Sequence, residues 1–279
     1  MTTTRRQWIQ TVSSIALLTG VSRFSSADEV IRYVRFKKDK TTAYGKLNTG
    51  LIHELEGSIF ENPKGTGRTH VLESVELLAP CEPTKVLAVG RNYTSHAGDD
   101  MPTKPELFFK SISSILEPGG TIVIPPGTND CHYEGELVVV IGKKAKNVPA
   151  EKAKEYVFGV TCGNDVSARD WQTDDLQWWR AKASDTFSPF GPSIAVNVDY
   201  SNLMLTTRLN GEIKQQQSTK DLYYNVEKIV SFTSQFVTLE VGDIIYTGTP
   251  GVTGAMRNGD EVEVEIDTIG ILKNKVRSA

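Results

Sequence analysis

His132-Tyr133-Glu134-Gly135-Glu136-Leu137-Val138-Val139-Val140-Ile141 runs two glutamates straight into five apolar residues, four of them β-branched. A compact run of this kind reads as a strand covered on both faces. In extended chain successive side chains alternate faces, so Glu134 and Glu136 project the same way. Two like charges on one face beside a buried run are unfavourable unless something positive lies between them. A divalent cation resolves that repulsion, and a solvated strand edge is the alternative. The same alternation puts His132 on the glutamate face, as a rival ligand or as a packing neighbour.

Strand signals continue on either side. Lys85 to Val89 is a short apolar strand closed by Gly90, and Ile122 to Ile124 is another. Glu261 to Ile266 alternates Glu with Val or Ile, the period of a half-buried strand. Leu203 to Leu209 and Ile213 to Gln217 flank Asn210-Gly211, a pair that tolerates positive φ and so marks a hairpin. Towards the N-terminus, Val30 to Phe36 and Leu51 to Leu55 read as strands. A turn-rich stretch to Gly50 separates them, and a Gly/Pro/Thr loop over residues 56–69 follows. Helical patterning is sparser: Ala150 to Val157, and Val226, Ile229, Val230, Phe236 and Val237 at helical spacing. The expected fold is mainly β with a few helices (α+β), without a βαβ repeat. The expected organisation is a small β-rich N-terminal domain over residues 28–80 and a catalytic domain over 81–279.

Three further clusters carry candidate chemistry. Cys162-Gly163-Asn164-Asp165-Val166-Ser167-Ala168-Arg169-Asp170 follows an apolar run, and an acid at this strand-to-loop junction can supply a third oxygen ligand. Carboxylates without clustered cysteine or histidine favour a hard ion, Mg2+ or Mn2+, over zinc. In Gly90-Arg91-Asn92-Tyr93-Thr94-Ser95-His96-Ala97-Gly98-Asp99-Asp100, one helical turn would set Asp99 beside His96. The carboxylate could then orient the imidazole as a general base; a surface turn containing a histidine is the plainer reading. Trp178 and Trp179 precede Lys182, which by default is core plus a solvated cation. His53 and His70 have no acidic partner at a useful spacing. Thr247-Gly248-Thr249-Pro250-Gly251 lacks the lysine of a phosphate loop.

Composition narrows the class. The 279 residues carry 31 Lys+Arg against 34 Asp+Glu, a net charge of -3, with no basic stripe to engage nucleic acid. No apolar run is long enough for a membrane span. Three scattered cysteines, Cys81, Cys131 and Cys162, form neither a disulfide framework nor a zinc motif and read as small buried apolar groups. Arg5-Arg6, a mild apolar stretch and Ser25-Ser26-Ala27 read as a twin-arginine export signal over residues 1–27, placing the mature chain in the periplasm or beyond. The alternative is an amphipathic N-terminal helix on a cytoplasmic protein.

From Val86 to Val276 the chain resembles the fumarylacetoacetate hydrolase (FAH) family. The resemblance rests on Gly90-Arg91-Asn92-Tyr93 with His96, Phe108-Phe109-Lys110, Tyr133-Glu134-Gly135-Glu136-Leu137 and Asn164 to Asp170 with Gln172. It extends through Lys182 with Asp185-Thr186-Phe187, Gly242-Asp243-Ile244-Ile245 and Thr247-Gly248-Thr249-Pro250. Residues 30–80 are similar to the small domain that precedes many bacterial members. The resemblance implies a mixed β-sandwich roll, a homodimer, and Glu134, Glu136 and Asp165 holding one Mg2+ or Mn2+. It further implies Arg91, Tyr93, Arg169, Gln172, Lys182 and Thr249 around a small 2-oxo acid, with His96, Asp99 and Lys182 as the catalytic groups. The implied activity is hydrolysis of a carbon-carbon bond in a 2,4-dioxo acid (acylpyruvate or fumarylpyruvate-like), as in aromatic catabolism. Isomerisation, tautomerisation or decarboxylation of an unsaturated or oxo diacid on the same fold is the runner-up, and a non-catalytic carboxylate-binding protein ranks below both. Two positions depart from the hydrolytic pattern. Asp99 stands where those members carry a glutamate, and the turn after Thr249 reads Pro250-Gly251-Val252-Thr253-Gly254.

Overall fold

The computed structural model describes residues 29–279. The export signal expected over residues 1–27 lies outside them. Among the described residues the chain is mostly strand, arranged in two main sheets with a few helices. The larger, 12-stranded sheet runs in the order Lys64–Val71, Leu51–Glu56, Thr41–Asn48, Ile31–Lys38, Ser188–Val196, Val157–Asn164, Gly135–Ile141, Ile244–Tyr246, Val86–Gly90, Glu106–Lys110. Two short strands pair off this path. The five-stranded sheet runs Glu212–Ser218, Met204–Leu209, Glu261–Ile266, Gly270–Ser278, Thr121–Ile124.

The Gly135–Ile141 strand is buried along its whole length. Leu137, Val139 and Ile141 join one apolar cluster with Leu205, Val264 and Leu272 of the smaller sheet and Ile229 and Val230 of the Val226–Phe236 helix. Val138 and Val140 face the opposite way, onto Val86, Ala88, Ile194 and Ile244. Burying each such side chain is worth about 1.5–3 kcal/mol. The strand can therefore hold a carboxylate whose desolvation costs several kcal/mol, the typical penalty for a buried ion.

The Asn210-Gly211 hairpin forms with φ of 53° and 81° at those residues, and the Val226–Phe236 helix is capped by the Asn225 side chain, which accepts from the Lys228 N–H. Three expectations change. Thr41–Asn48 is a strand rather than a turn-rich stretch, and Lys64–Val71 replaces much of the expected loop. Both lie towards the polar end of the large sheet and bury few side chains, so they lack the apolar alternation that marks a strand. Ala150–Tyr156 is a 3-10 helix with only Ala153 buried, too little apolar stripe to support a longer α-helix. The Ile31–Lys38 strand pairs with Ser188–Val196, so residues 29–80 extend the larger sheet through continuous hydrogen bonding.

Candidate metal and acid-base site

Glu134, Glu136 and Asp165 each offer a carboxylate oxygen within 4.8 Å of the other two, and all three residues are buried. The backbone brings them together. Gly135 and Asn164 are register partners, the Asp165 N–H donates to the Glu134 carbonyl at 2.9 Å, and the Glu134 N–H donates to Asn164 Oδ1 at 2.9 Å. Gly135 separates the glutamates because the smaller sheet passes close by: a Cβ there would collide with the Thr207 side chain. The Gly135 N–H donates to Gln215 Oε1 at 3.1 Å, and its carbonyl accepts from Thr249 Oγ1 at 2.9 Å.

Three cations face these acids. Lys182 Nζ, on the Trp179–Ala183 helix, lies 2.6 Å from Glu134 Oε2 and 2.9 Å from Asp165 Oδ2. Lys110 Nζ, at the end of the Glu106–Lys110 strand, pairs with Asp165 Oδ1 and donates to the Lys182 carbonyl at 2.5 Å. Arg169 pairs with Glu134 and donates to Gln172 Oε1 at 2.8 Å and Thr253 Oγ1 at 3.0 Å. Burial by itself pushes the Glu134 carboxyl up, but Lys182 and Arg169 outweigh it and hold the group well below the usual carboxylate range. Burial likewise works against the charge on Lys182, and Asp165 and Glu134 reverse the direction and raise it. Burial prevails at Lys110, which is lowered despite Asp165, with Lys182 adding to the effect.

Glu136 differs from the other two acids. Its carboxylate accepts the Gly248 N–H at 2.5 Å, and no lysine or arginine among the described residues pairs with it. Burial, followed by the charges of Asp165 and Glu134, pushes it well above its ordinary value. A buried acid aimed at two others without a cation of its own is the arrangement a divalent ion would complete. The all-oxygen donor set fits Mg2+ or Mn2+. A cavity of about 50 Å³ adjoins the acids, bordered by His96, Phe108, Arg169, Gln172, Trp178 and Thr249, with Arg91 at its edge. That is room for a few water molecules, each needing about 10–15 Å³ of such space. Lys182 and Arg169 reach inward from the cavity wall to Glu134.

The structure separates the other expected residues. His96 borders the cavity, with Nδ1 2.8 Å from the Gly251 carbonyl and Nε2 3.9 Å from Glu134 Oε1. Asp99 does not orient it: the Thr94–Ala97 helix ends at Gly98 with φ of 66°, so Asp99 leaves the helical register and is exposed. Tyr93 does not line the cavity; it is fully buried and backbone-bridged to Leu222. The Thr249 hydroxyl donates to the Gly135 carbonyl and accepts from Gln215 Nε2, which makes it a brace for the acidic strand. Arg91 pairs with Glu106 and Asp100. His132 leaves the glutamate face, bonding Thr253 and Asp130, because its short Cys131–His132 strand ends before Gly135–Ile141 begins. Lys182 is buried rather than solvated, and Trp179 rather than the lysine faces water. His70 does have an acidic partner, Glu54, across a strand pair that linear spacing does not reveal. The three cysteines are free and buried, as read from the sequence.

Lys110 and Gln215 did not stand out as site residues. Lys110 carried a usable signal, since a lysine closing the apolar Leu107-Phe108-Phe109 has its charge drawn into the core. Gln215, in a run of three glutamines, carried none.

The family described as fumarylacetoacetate (FAA) hydrolase C-terminal matches residues 85–277, and the Rv2993c-like N-terminal family matches residues 31–80. The chain belongs to the fumarylacetoacetate hydrolase family. Protein Rv2993c of Mycobacterium tuberculosis is 43% identical over 238 residues, 83% of this chain and 90% of that protein. The mitochondrial oxaloacetate tautomerase Fahd2a of Rattus norvegicus is 42% identical over 217 residues, 72% of this chain and 69% of its own. Among solved structures, 2-hydroxyhepta-2,4-diene-1,7-dioate isomerase from Mycobacterium marinum superposes with a TM-score of 0.84 at 39% identity, covering 89% of this chain and 98% of that one. The fold expectation, mainly β in the manner of this family, holds, and relatives that are isomerases, tautomerases and hydrolases place the chain among enzymes.

Proposed function

We propose that this chain is a divalent-metal-dependent tautomerase or isomerase of a short 2-oxo acid, with oxaloacetate as the first substrate to try. The observation that carries the choice is His96. Its Nδ1 faces a backbone carbonyl, which can only accept, so the neutral ring holds its proton there and leaves Nε2 bare on the cavity side. No carboxylate among the described residues bonds Nδ1, so the histidine–carboxylate pair that the hydrolytic pattern would use to activate water is not formed. Nε2 can still take a proton from carbon, with Glu134 Oε1 3.9 Å away to balance the imidazolium formed.

Glu134, Glu136 and Asp165 would hold Mg2+ or Mn2+, which when bound supplies positive charge to the 2-oxo and carboxylate oxygens and favours the enolate. Arg169 and Lys182 turn from Glu134 towards the incoming carboxylate, with Gln172 beside Arg169 in the cavity wall. His96 Nε2 takes the proton from the carbon next to the keto group and returns it to the enol oxygen, so the ring ends as it began. Phe108 and Trp178, packed edge to face at 5.4 Å between centroids, exclude water from that side.

Hydrolysis of a 2,4-dioxo acid is the second reading, favoured by Glu134 Oε1 lying 3.9 Å from His96 Nε2. The test follows the enol absorbance of oxaloacetate beside product release from an acylpyruvate, with and without EDTA. The proposal expects chelator-sensitive enol-keto conversion outpacing cleavage. Chelator-insensitive conversion, or cleavage as the faster reaction, contradicts it. We also propose that Arg5-Arg6 direct export, which predicts a mature N-terminus near Asp28; an intact Met1 on protein recovered from its native cells would contradict this.

A further inference from the structure

Two lysines grip one carboxylate, and their surroundings differ. Lys110 holds Asp165 Oδ1 and at the same time the backbone carbonyl of Lys182, and its side chain is fully buried on a sheet strand paired along its length with Val86–Gly90. Lys182 holds Asp165 Oδ2 and Glu134 Oε2 from a helix of five residues, and it borders the cavity; Lys110 does not. We infer that Lys110 is a positioning residue, a fixed clamp that sets the Asp165 carboxylate and the helix carrying Lys182 for ion binding, whereas Lys182 is the exchangeable cation that yields its carboxylate oxygens when an ion enters. The inference rests on the metal-dependent reading above.

The physical grounds are anchorage and competition. Lys110 has a second anchor, the Lys182 carbonyl, that an ion cannot take; its hold on Oδ1 leaves the opposite oxygen of Asp165 turned towards Glu134. Lys182 Nζ sits between the two oxygens an ion would need, so ion and ammonium compete for one place. Groups that orient a ligand without touching the metal typically change affinity by about 10- to 100-fold when removed.

The test is Mn2+ titration by calorimetry on the full chain and on Lys110→Met and Lys182→Met, beside turnover at low and saturating Mn2+. Lys110→Met should bind Mn2+ about 10- to 100-fold more weakly and recover most of its kcat at saturating ion. Lys182→Met should bind at least as tightly as the unmodified chain and stay inactive at any Mn2+ concentration. Equal affinity of Lys110→Met and the unmodified chain would overturn the inference, as would equal weakening by both substitutions. Should Lys110→Met fail to fold, the Mn2+-loaded unmodified protein decides by crystallography: the Lys110–Asp165 pair is retained and Lys182 Nζ is displaced beyond hydrogen-bond reach of Glu134, or the inference fails. Absence of Mn2+ uptake by the unmodified chain would instead refute the metal-dependent reading itself.

Discussion

His96 is the residue on which the choice of reaction turns. A general acid-base group typically contributes about 100- to 10,000-fold, so His96→Gln should lower kcat/KM for enol-keto conversion by an amount in that range. Asp99, which leaves the helix at Gly98 and does not reach the ring, should be far less sensitive: Asp99→Ala is expected to stay within about twofold, as for an exposed position away from structural features. Comparing the two variants in one enol-absorbance assay checks this, and a large loss in Asp99→Ala would restore the carboxylate-oriented histidine that spacing alone suggests. Spacing of three places residues side by side only while the helix continues. Gly98 adopts a positive φ that ends it, and the sequence does not announce that break as firmly as a proline would.

At the scale of elements, the strand pair Leu51–Glu56 and Lys64–Val71 carries a buried ionic group of its own. Hydrogen bonding from Arg68, joined by His70, lowers the Glu54 carboxyl from 4.5 to about 2 against the opposing effect of burial. A depressed folded-state value means that this stabilisation is fully present above about pH 4.5 and is lost as pH falls towards 2. Urea midpoints measured from pH 6 to 3 should therefore fall less steeply for Glu54→Gln than for the unmodified chain, and equal slopes would contradict the assignment. The same elements show which parts of the fold can be read from the sequence. Gly135–Ile141 and Glu261–Ile266 were legible because their burial is written as apolar runs or strict alternation. Thr41–Asn48 and Lys64–Val71 were not, since backbone pairing to neighbours holds them and few of their side chains are buried. Cross-strand partners such as Glu54 and His70, or Gln215 and Gly135, depend on register between distant segments and leave no local pattern.

For the whole molecule, the two sheets converge so that one buried strand end, one strand-to-loop junction and one short helix meet at a single point. The large sheet aligns Glu134 and Glu136 with Asp165 through the Gly135 to Asn164 register, and the smaller sheet presses Thr207 and Gln215 against Gly135 from the other side. Two carboxylates on one strand face and a third at a junction were readable as a metal set because their repulsion is evident from charge and alternation. The lysine clamp beneath them was not, because it is assembled from a strand and a helix far apart in the chain. Among the three acids, Glu136 has no lysine or arginine of the described residues paired with it, so it reports most directly on whether an ion belongs there. The decisive measurement is equilibrium dialysis against Mn2+ at neutral pH followed by elemental analysis of the unmodified chain and Glu136→Gln. One Mn2+ retained per unmodified chain and little in the variant is the result expected; no retained metal in the unmodified protein, or equal amounts in both, would contradict the account.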